Sequence, residues 1–117
     1  MALEELQAVI QAGGVLVLSG AGMSTGSGIP DYRGPNGAYS RGHQPMTYQD
    51  FLRNEGGRRR YWARSHVGWT RFSQAKPNAA HVAIAQMEQS GFIDSVITQN
   101  VDGLHQSAGS DRVIDLH

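Results

Sequence analysis

The sequence of 117 residues is 39% hydrophobic, has ten Lys and Arg against ten Asp and Glu, and contains no cysteine. That length predicts one domain at most, with an ordinary globular core. Zero formal net charge leaves no electrostatic footprint for nucleic acid or an anionic membrane, and the missing thiols exclude a disulfide framework and a thiolate metal site in these residues.

Residues 2–12 place Leu3, Leu6 and Ile10 on one helical stripe, closed by Gly13-Gly14. The same stretch holds Glu4 and Glu5 and no arginine, unlike a secretory signal or a transit peptide, and no apolar run approaches membrane-spanning length. Cytoplasm is therefore the expected compartment. Val15-Leu16-Val17-Leu18 then runs without alternation into Ser19-Gly20-Ala21-Gly22. A short apolar run bounded by glycine predicts a parallel strand buried on both faces. At the carboxyl end of such a strand, glycines let backbone amides approach a phosphate where a side chain would collide.

Three readings of this turn compete. The dinucleotide fingerprint G-x-G-x-x-G fails at its third glycine, which arrives one position late at Gly26, and no Gly-Lys-Ser/Thr follows to make a P-loop. Gly22-Met23-Ser24-Thr25-Gly26 also fits G-x-S-x-G, the nucleophile elbow of serine hydrolases. That elbow needs a full helix after the serine, whereas Gly26, Gly28 and Pro30 permit little more than one turn. The third reading is a plain Gly-rich turn.

Asp31 to Pro45 is rich in Gly, Pro, Asn and Ser and has no period, which predicts a loop; one that begins at a ligand edge reads as a lid. Thr47 is placed to cap a short helix over Tyr48 to Arg53, ended by Gly56-Gly57. A second helix over Arg58 to Phe72 carries Trp62, His66 and Trp69 on one stripe, expected to pack in a core or against another domain. Arg58-Arg59-Arg60 reads as a solvated helix start. Asn78 caps the next helix, with Ala79, Val82, Ile84, Ala85 and Met87 as apolar positions and Ser90-Gly91 as its stop. Phe92 to Thr98 reads as a second buried strand, residues around Val101 to Ala108 as a short helix, and Arg112 to Leu116 as a third strand. The βαβαβ order implies a parallel sheet, half of a doubly wound fold.

Three strand ends should then share one edge, bringing Gly20-Ala21-Gly22, Gln99-Asn100-Val101-Asp102 and His117 together where ligands collect. Helix capping is the competing role for Asn100 and Asp102. His81 and His105 lie inside helices and read as packing or surface residues. His43 and His66 have no partner at metal-ligand spacing.

Gly20-Ala21-Gly22-Met23-Ser24, Ser27-Gly28-Ile29-Pro30-Asp31-Tyr32-Arg33, Thr98-Gln99-Asn100-Val101-Asp102-Gly103-Leu104-His105, Ala108-Gly109 and Leu116-His117 follow one another in the order found in the sirtuins, which this sequence resembles from about Gly14 onward. Tyr32 stands where the family usually has Phe. Arg60-Tyr61-Trp62-Ala63-Arg64, Val67-Gly68-Trp69 and Pro77-Asn78-Ala79-Ala80-His81 are similar to class II, which contains a mitochondrial sirtuin and bacterial relatives.

The resemblance implies an NAD-dependent protein lysine deacylase in which NAD is consumed as a co-substrate. Gly20, Ala21 and Gly22, with Ser24 and Thr25, would cradle the pyrophosphate. Ile29, Pro30, Asp31, Tyr32, Arg33 and Tyr39 would belong to the cofactor side of the site, with Ile29 and Asp102 holding the nicotinamide carboxamide. Gln99 and Asn100 would order the ribose and a water, Val101 would be a further cofactor-binding residue, and His117, with Asn100 and Asp102 as further catalytic residues, would act as general base. The acyl oxygen would attack the ribose C1′, nicotinamide would leave, and His117 would take a proton from the ribose hydroxyls so that lysine and an O-acyl-ADP-ribose result. Tyr61-x-x-Arg64 resembles the pair with which some sirtuins read acidic acyl groups, and packing within the aromatic stripe is its competing role. The partner implied is an acyl-lysine protein, with no nucleic acid and no membrane; oligomeric state has no signal in the sequence. Mono-ADP-ribosyl transfer and a non-catalytic NAD or ADP-ribose module are the alternatives.

Family members also carry a zinc ribbon with paired C-x-x-C cysteines, and a glycine after the catalytic histidine. Neither is present, so zinc is expected only in a full-length protein. The fold expected for residues 1–117 is a partial doubly wound, Rossmann-like α/β sheet, truncated and without the small domain: the amino-terminal part of a catalytic domain. Such a piece alone is expected to bind NAD weakly and turn over poorly.

Overall fold

The computed structural model describes residues 2–117. Three strands, β1 (Val15–Ser19), β2 (Ile93–Thr98) and β3 (Val113–Asp115), form a wholly parallel sheet in the order β1-β2-β3. Register aligns Val17 with Val96 and Val113, then Leu18 with Ile97 and Ile114, and finally Ser19 with Thr98 and Asp115. The strand ends are flush, so the segments that follow leave the sheet from one edge.

Helix α1 (Leu3–Ala12) precedes the sheet, and α2 (Tyr48–Arg53), α3 (Glu55–Gln74) and α4 (Ala79–Gln89) lie between β1 and β2. The four-residue α5 (Leu104–Ser107) joins β2 to β3. The Val17 row meets α4: Ile84, Ile93 and Val96 form the buried core, flanked by Val15, Val17, Met23, Met87 and Val113. The α4 cap is reciprocal, since the Asn78 side chain accepts from Ala80 N and His81 N while His81 Nδ1 accepts from Asn78 N.

Two expectations fail here. β1 is buried on one face only: Leu16 and Leu18 are 56% and 67% exposed, and Ile114 and Leu116 are open beside them. The unbroken apolar run reports a strand built for cover on both sides, and among the described residues only α4 supplies it. The Trp62–Trp69 stripe likewise does not enter the core: both indoles are more than half exposed, Trp62 against Tyr61 and Trp69 stacked on Phe72.

Gly56-Gly57 does not end α2. Asn54 does so, and its side chain caps α3 by accepting from Gly57 N, so the two glycines sit in the first turn of the longer helix. The α2 carbonyls of Phe51 and Leu52 accept from the Arg58 guanidinium, and Arg59 pairs with Glu55. Phe51 and Tyr61 meet edge to face, and α3 packs chiefly on α2. This hairpin projects from the sheet: the radius of gyration is 17.0 Å, against roughly 13–14 Å for a compact domain of this length. No helix among the described residues is long and apolar enough to cross a membrane.

Candidate functional site

β1 passes at Gly20 into a seven-residue 3₁₀ helix, Ala21–Ser27, longer than the three or four residues at which such helices usually stop. Gly28 closes it with φ +86°, a left-handed position that disfavours a side chain. The first bond inside the turn is Met23 N to Gly20 O. The Ala21 and Gly22 amides precede that bond, and no side chain caps them. A Cβ built on Gly20 or Gly22 meets no atom within 4 Å. Donors in an open concavity of this kind suit an anionic group.

The segment after β2 reaches this turn directly. Asn100 Nδ2 donates to Gly20 O at 2.9 Å, and its backbone amide donates to Thr98 Oγ1 at 3.1 Å. Asp102 divides its oxygens: Oδ1 accepts from Leu104 N at 3.0 Å, capping α5, while Oδ2 accepts from the Ser24 hydroxyl. Capping and site-building are thus the same residue's work. Asn100 does no capping.

These peptides, the loop after Ile29 and His117 enclose a cavity of about 710 Å³, within the range of small-molecule sites. Ala21, Ser24, Ile29, Pro30, Asp31, Tyr32 and Arg33 line one side, and Gln99, Asn100, Val101, Asp102 and His117 line the other. Asp31 folds its loop by accepting from Gly34 N at 2.8 Å; Tyr32 lies 5.4 Å from Tyr39, and the Arg33 guanidinium sits over the Tyr39 ring.

Not every expected residue meets in that space. Tyr39, Tyr61 and Arg64 line a neighbouring cavity of about 410 Å³, which shares Tyr32 and Ala38 with the first. Thr25 faces a third cavity, and its hydroxyl donates to Gly22 O. Gly20 and Gly22 shape the turn without lining the cavity wall. Ala38 and Phe72 line the first cavity unforeseen, and neither has any polar signal in sequence.

A buried polar layer beneath the cavity was also missed. Ser19 donates to Thr98 Oγ1 and contacts His105 Nε2, both at 2.8 Å. His105 and His81 are fully buried with ring centroids 5.0 Å apart. Burial pushes both imidazoles below their ordinary pKa; proximity to His81 lowers His105 further, and Asp102 opposes the shift in each. The spacing Asn78-x-x-His81 at a helix start is a capping-box pattern, a sequence signal for one of them. Among the described residues no three His, Asp or Glu side chains come together to hold a metal ion.

The Ser24 hydrolase reading fails on geometry: Ser24 is 1% exposed and its hydroxyl is given to a carboxylate, with no histidine beside it as base.

The Sir2 family model matches residues 20–117. NAD-dependent protein deacetylase 1 of Streptomyces coelicolor is 63% identical over 92% of this chain, and NAD-dependent protein deacylase SRT2 of Arabidopsis thaliana is 56% identical over 92%. The chain spans 36% and 28% of the lengths of these relatives. A solved structure of Sir2 with a deacetylated p53 peptide and 3′-O-acetyl ADP-ribose superposes with a TM-score of 0.84 at 44% identity, over 99% of this chain and 47% of the solved one. A Sir2–p53 peptide–NAD⁺ structure gives 0.81 at 40% identity, over 100% and 46%. From the turn after its first strand to its last residue, the chain belongs to the Sir2 family.

Proposed function

We propose that residues 1–117 form the amino-terminal, NAD-binding part of the catalytic domain of an NAD-dependent protein lysine deacylase. One observation carries the reading: three peptides far apart in sequence, after Ser19, after Thr98 and at His117, line one 710 Å³ cavity. The residues fit a dinucleotide. The uncapped Ala21 and Gly22 amides and the empty space at Gly20 and Gly22 suit a pyrophosphate.

Gly20, Ala21, Gly22, Ser24 and Thr25 take the pyrophosphate side. Ile29, Pro30 and Asp102 hold the carboxamide end, and Asp31, Tyr32, Arg33 and Tyr39 form the loop over it. Gln99, Asn100 and Val101 order the ribose and a water. NAD, as co-substrate, supplies the electrophilic ribose carbon and the ADP-ribose acceptor. His117 accepts a ribose hydroxyl proton at a ring nitrogen and later returns it to the departing lysine amine. Tyr61 and Arg64, one helical turn apart on the wall of the adjoining cavity, are proposed to read an acidic acyl group. Zinc enters only in a cysteine-bearing module of a longer protein, since this chain has no cysteine. The substrate is an acyl-lysine protein in the cytoplasm; zero formal charge fits neither nucleic acid nor lipid as partner.

The test is product analysis on the intact protein with an acyl-lysine peptide and labelled NAD. Nicotinamide, free lysine peptide and O-acyl-ADP-ribose are expected, with His117→Ala losing at least about 100-fold. Label retained on protein instead identifies ADP-ribosyl transfer. NAD bound without nicotinamide release refutes both.

A further inference from the structure

Two buried histidines beneath the cavity have no part in the proposed reaction, yet their hydrogen bonds lead into it. His81 Nδ1 accepts the Asn78 amide at 3.1 Å, so that nitrogen carries no proton. Taken with the Ser19 hydroxyl hydrogen on Thr98, the 2.8 Å contact with His105 Nε2 makes Ser19 the acceptor there and assigns the proton to Nε2. The remaining nitrogens, His81 Nε2 and His105 Nδ1, are buried without a partner. Buried orphans of that kind are rare and costly. With each ring neutral they are complementary, for His81 has an Nε2–H to donate and His105 has a bare Nδ1 to accept. The rings stand 5.0 Å apart at 73°.

We propose that His81 and His105 act as one neutral donor–acceptor pair, joined through one buried water or by a small turn of either ring, that positions Asn100 from behind the cavity wall. One end of the chain of bonds is Asn78, whose Nδ2 donates to Met23 O at 2.8 Å and Ser27 Oγ at 3.1 Å, both in the 3₁₀ turn. It reaches His81 by the Asn78 amide, crosses to His105 by the proposed link, and runs on through Ser19 and Thr98 to the Asn100 amide. The two peptides that flank the cavity are thereby fixed to each other from inside. The charged groups acting on the pair are Asp102, before α5, and Asp115, on β3; both favour protonation and burial outweighs them. Both histidines are positioning residues. The inference rests on the role proposed above for Asn100.

Two measurements on the intact protein test it. Long-range ¹H–¹⁵N NMR of histidine-labelled protein at pH 7 is expected to show both rings as neutral Nε2–H tautomers. An imidazolium, or a proton on Nδ1 of either ring, overturns the pair. Glutamine preserves the donor that His105 Nε2 offers Ser19, the bond that leads on to Thr98 and Asn100, and asparagine preserves only the acceptor that Nδ1 offers His81. His105→Gln is expected to hold kcat for nicotinamide release within about threefold, whereas His105→Asn and His105→Ala lose about 10- to 100-fold in kcat with KM for NAD nearly unchanged. The Asn100 backbone amide resonance should move in His105→Asn and stay in His105→Gln. Equal behaviour of the Gln and Asn variants in rate and resonance overturns positioning. If no variant, wild type included, releases nicotinamide, the deacylase reading fails, while the tautomers and the Asn100 resonance still decide the pair.

Discussion

Removing the carboxylate that Ser24 and α5 share gives a stability change that can be worked out bond by bond. Asp102 Oδ1 accepts from Leu104 N at 3.0 Å and Oδ2 accepts from Ser24, whose side chain is buried at 1% exposure. In Asp102→Asn only one oxygen remains. If it stays on Leu104, the new NH₂ faces the Ser24 hydroxyl, whose hydrogen must find another acceptor; Asn100 Nδ2, at 3.5 Å, is a donor. If it turns to Ser24, α5 loses its cap. Either way one bond is lost and the other falls from charge-assisted, about 1.5–3 kcal/mol, to neutral, about 0.5–1.5 kcal/mol. Asp102→Asn should therefore cost about 2.5–4.5 kcal/mol. Asp102→Ala, which loses both bonds, the cap of α5 among them, should cost about 3–6 kcal/mol. Urea unfolding of the intact protein, followed by circular dichroism, measures both, and Ser24→Ala with Asp102→Ala closes a double-mutant cycle. Because both changes delete the same bond, the double variant should be less destabilised than the sum by about 1 kcal/mol. A coupling within about 0.3 kcal/mol of zero would refute the shared bond.

Acid should weaken the fold in two windows. His81 and His105 have folded pKa values below the ordinary 6.5, so below 6.5 the unfolded chain binds more protons; stability is full above that pH and falls as pH drops toward the lowered values, and a pH series of urea midpoints reads it. For Glu88, burial raises the carboxyl pKa, but the Arg112 and Asp111 amides outweigh it and hold the group below 4.5; its contribution is present above pH 4.5 and lost below. Glu88→Ala, which frees both amides at the turn before β3, should cost about 1–3 kcal/mol by the same urea measurement. Arg64→Met should lower kcat/KM for a succinyl-lysine peptide about 10- to 100-fold relative to its acetyl counterpart; an unchanged ratio removes Arg64 from acyl recognition.

The sequence makes the regular elements legible because their signals are local. Thr47 and Asn78 cap the helices they announce, and Gly13, Ser90 and Gly91 mark the ends expected of them. Gly56-Gly57 misleads because glycine is a stop only by propensity, and an Asn54 side chain that accepts from Gly57 N carries the chain onward. Leu16 and Leu18 show that an apolar run states what a strand is built to be covered by, while exposure depends on what is there to cover it. The line of residues along the cavity follows from parallel topology alone, which puts the ends of β1 and β2 and the residue after β3 on one edge. The layer under it does not. Ser19 and His105 are 86 positions apart, and nothing local to a Leu-His pair in a short helix tells which hydroxyl lies across from it.

That layer accounts for how so slight a core holds a site. The buried apolar residues are Ile84, Ala85, Ile93, Val96 and Leu104, while Ser19, Ser24, His81, Thr98, His105 and Ser110 are buried beside them. A core this polar gains little from transfer out of water, and each unsatisfied group in it costs about 1–3 kcal/mol. What the polar residues supply is direction. Apolar packing tolerates a sliding strand end, whereas Ser19 to Thr98, Asn100 to Gly20 and Ser24 to Asp102 each fail if one strand end shifts by an ångström. The last row of the sheet, Ser19–Thr98–Asp115, is therefore where apolar pairing gives way to hydrogen bonding, one or two residues before the chain enters the cavity. Val96→Ala should lower the urea midpoint while leaving the Asn100 amide resonance in place, whereas Ser19→Ala, which strands the buried His105 Nε2–H, should cost about 1–3 kcal/mol and move that resonance as well.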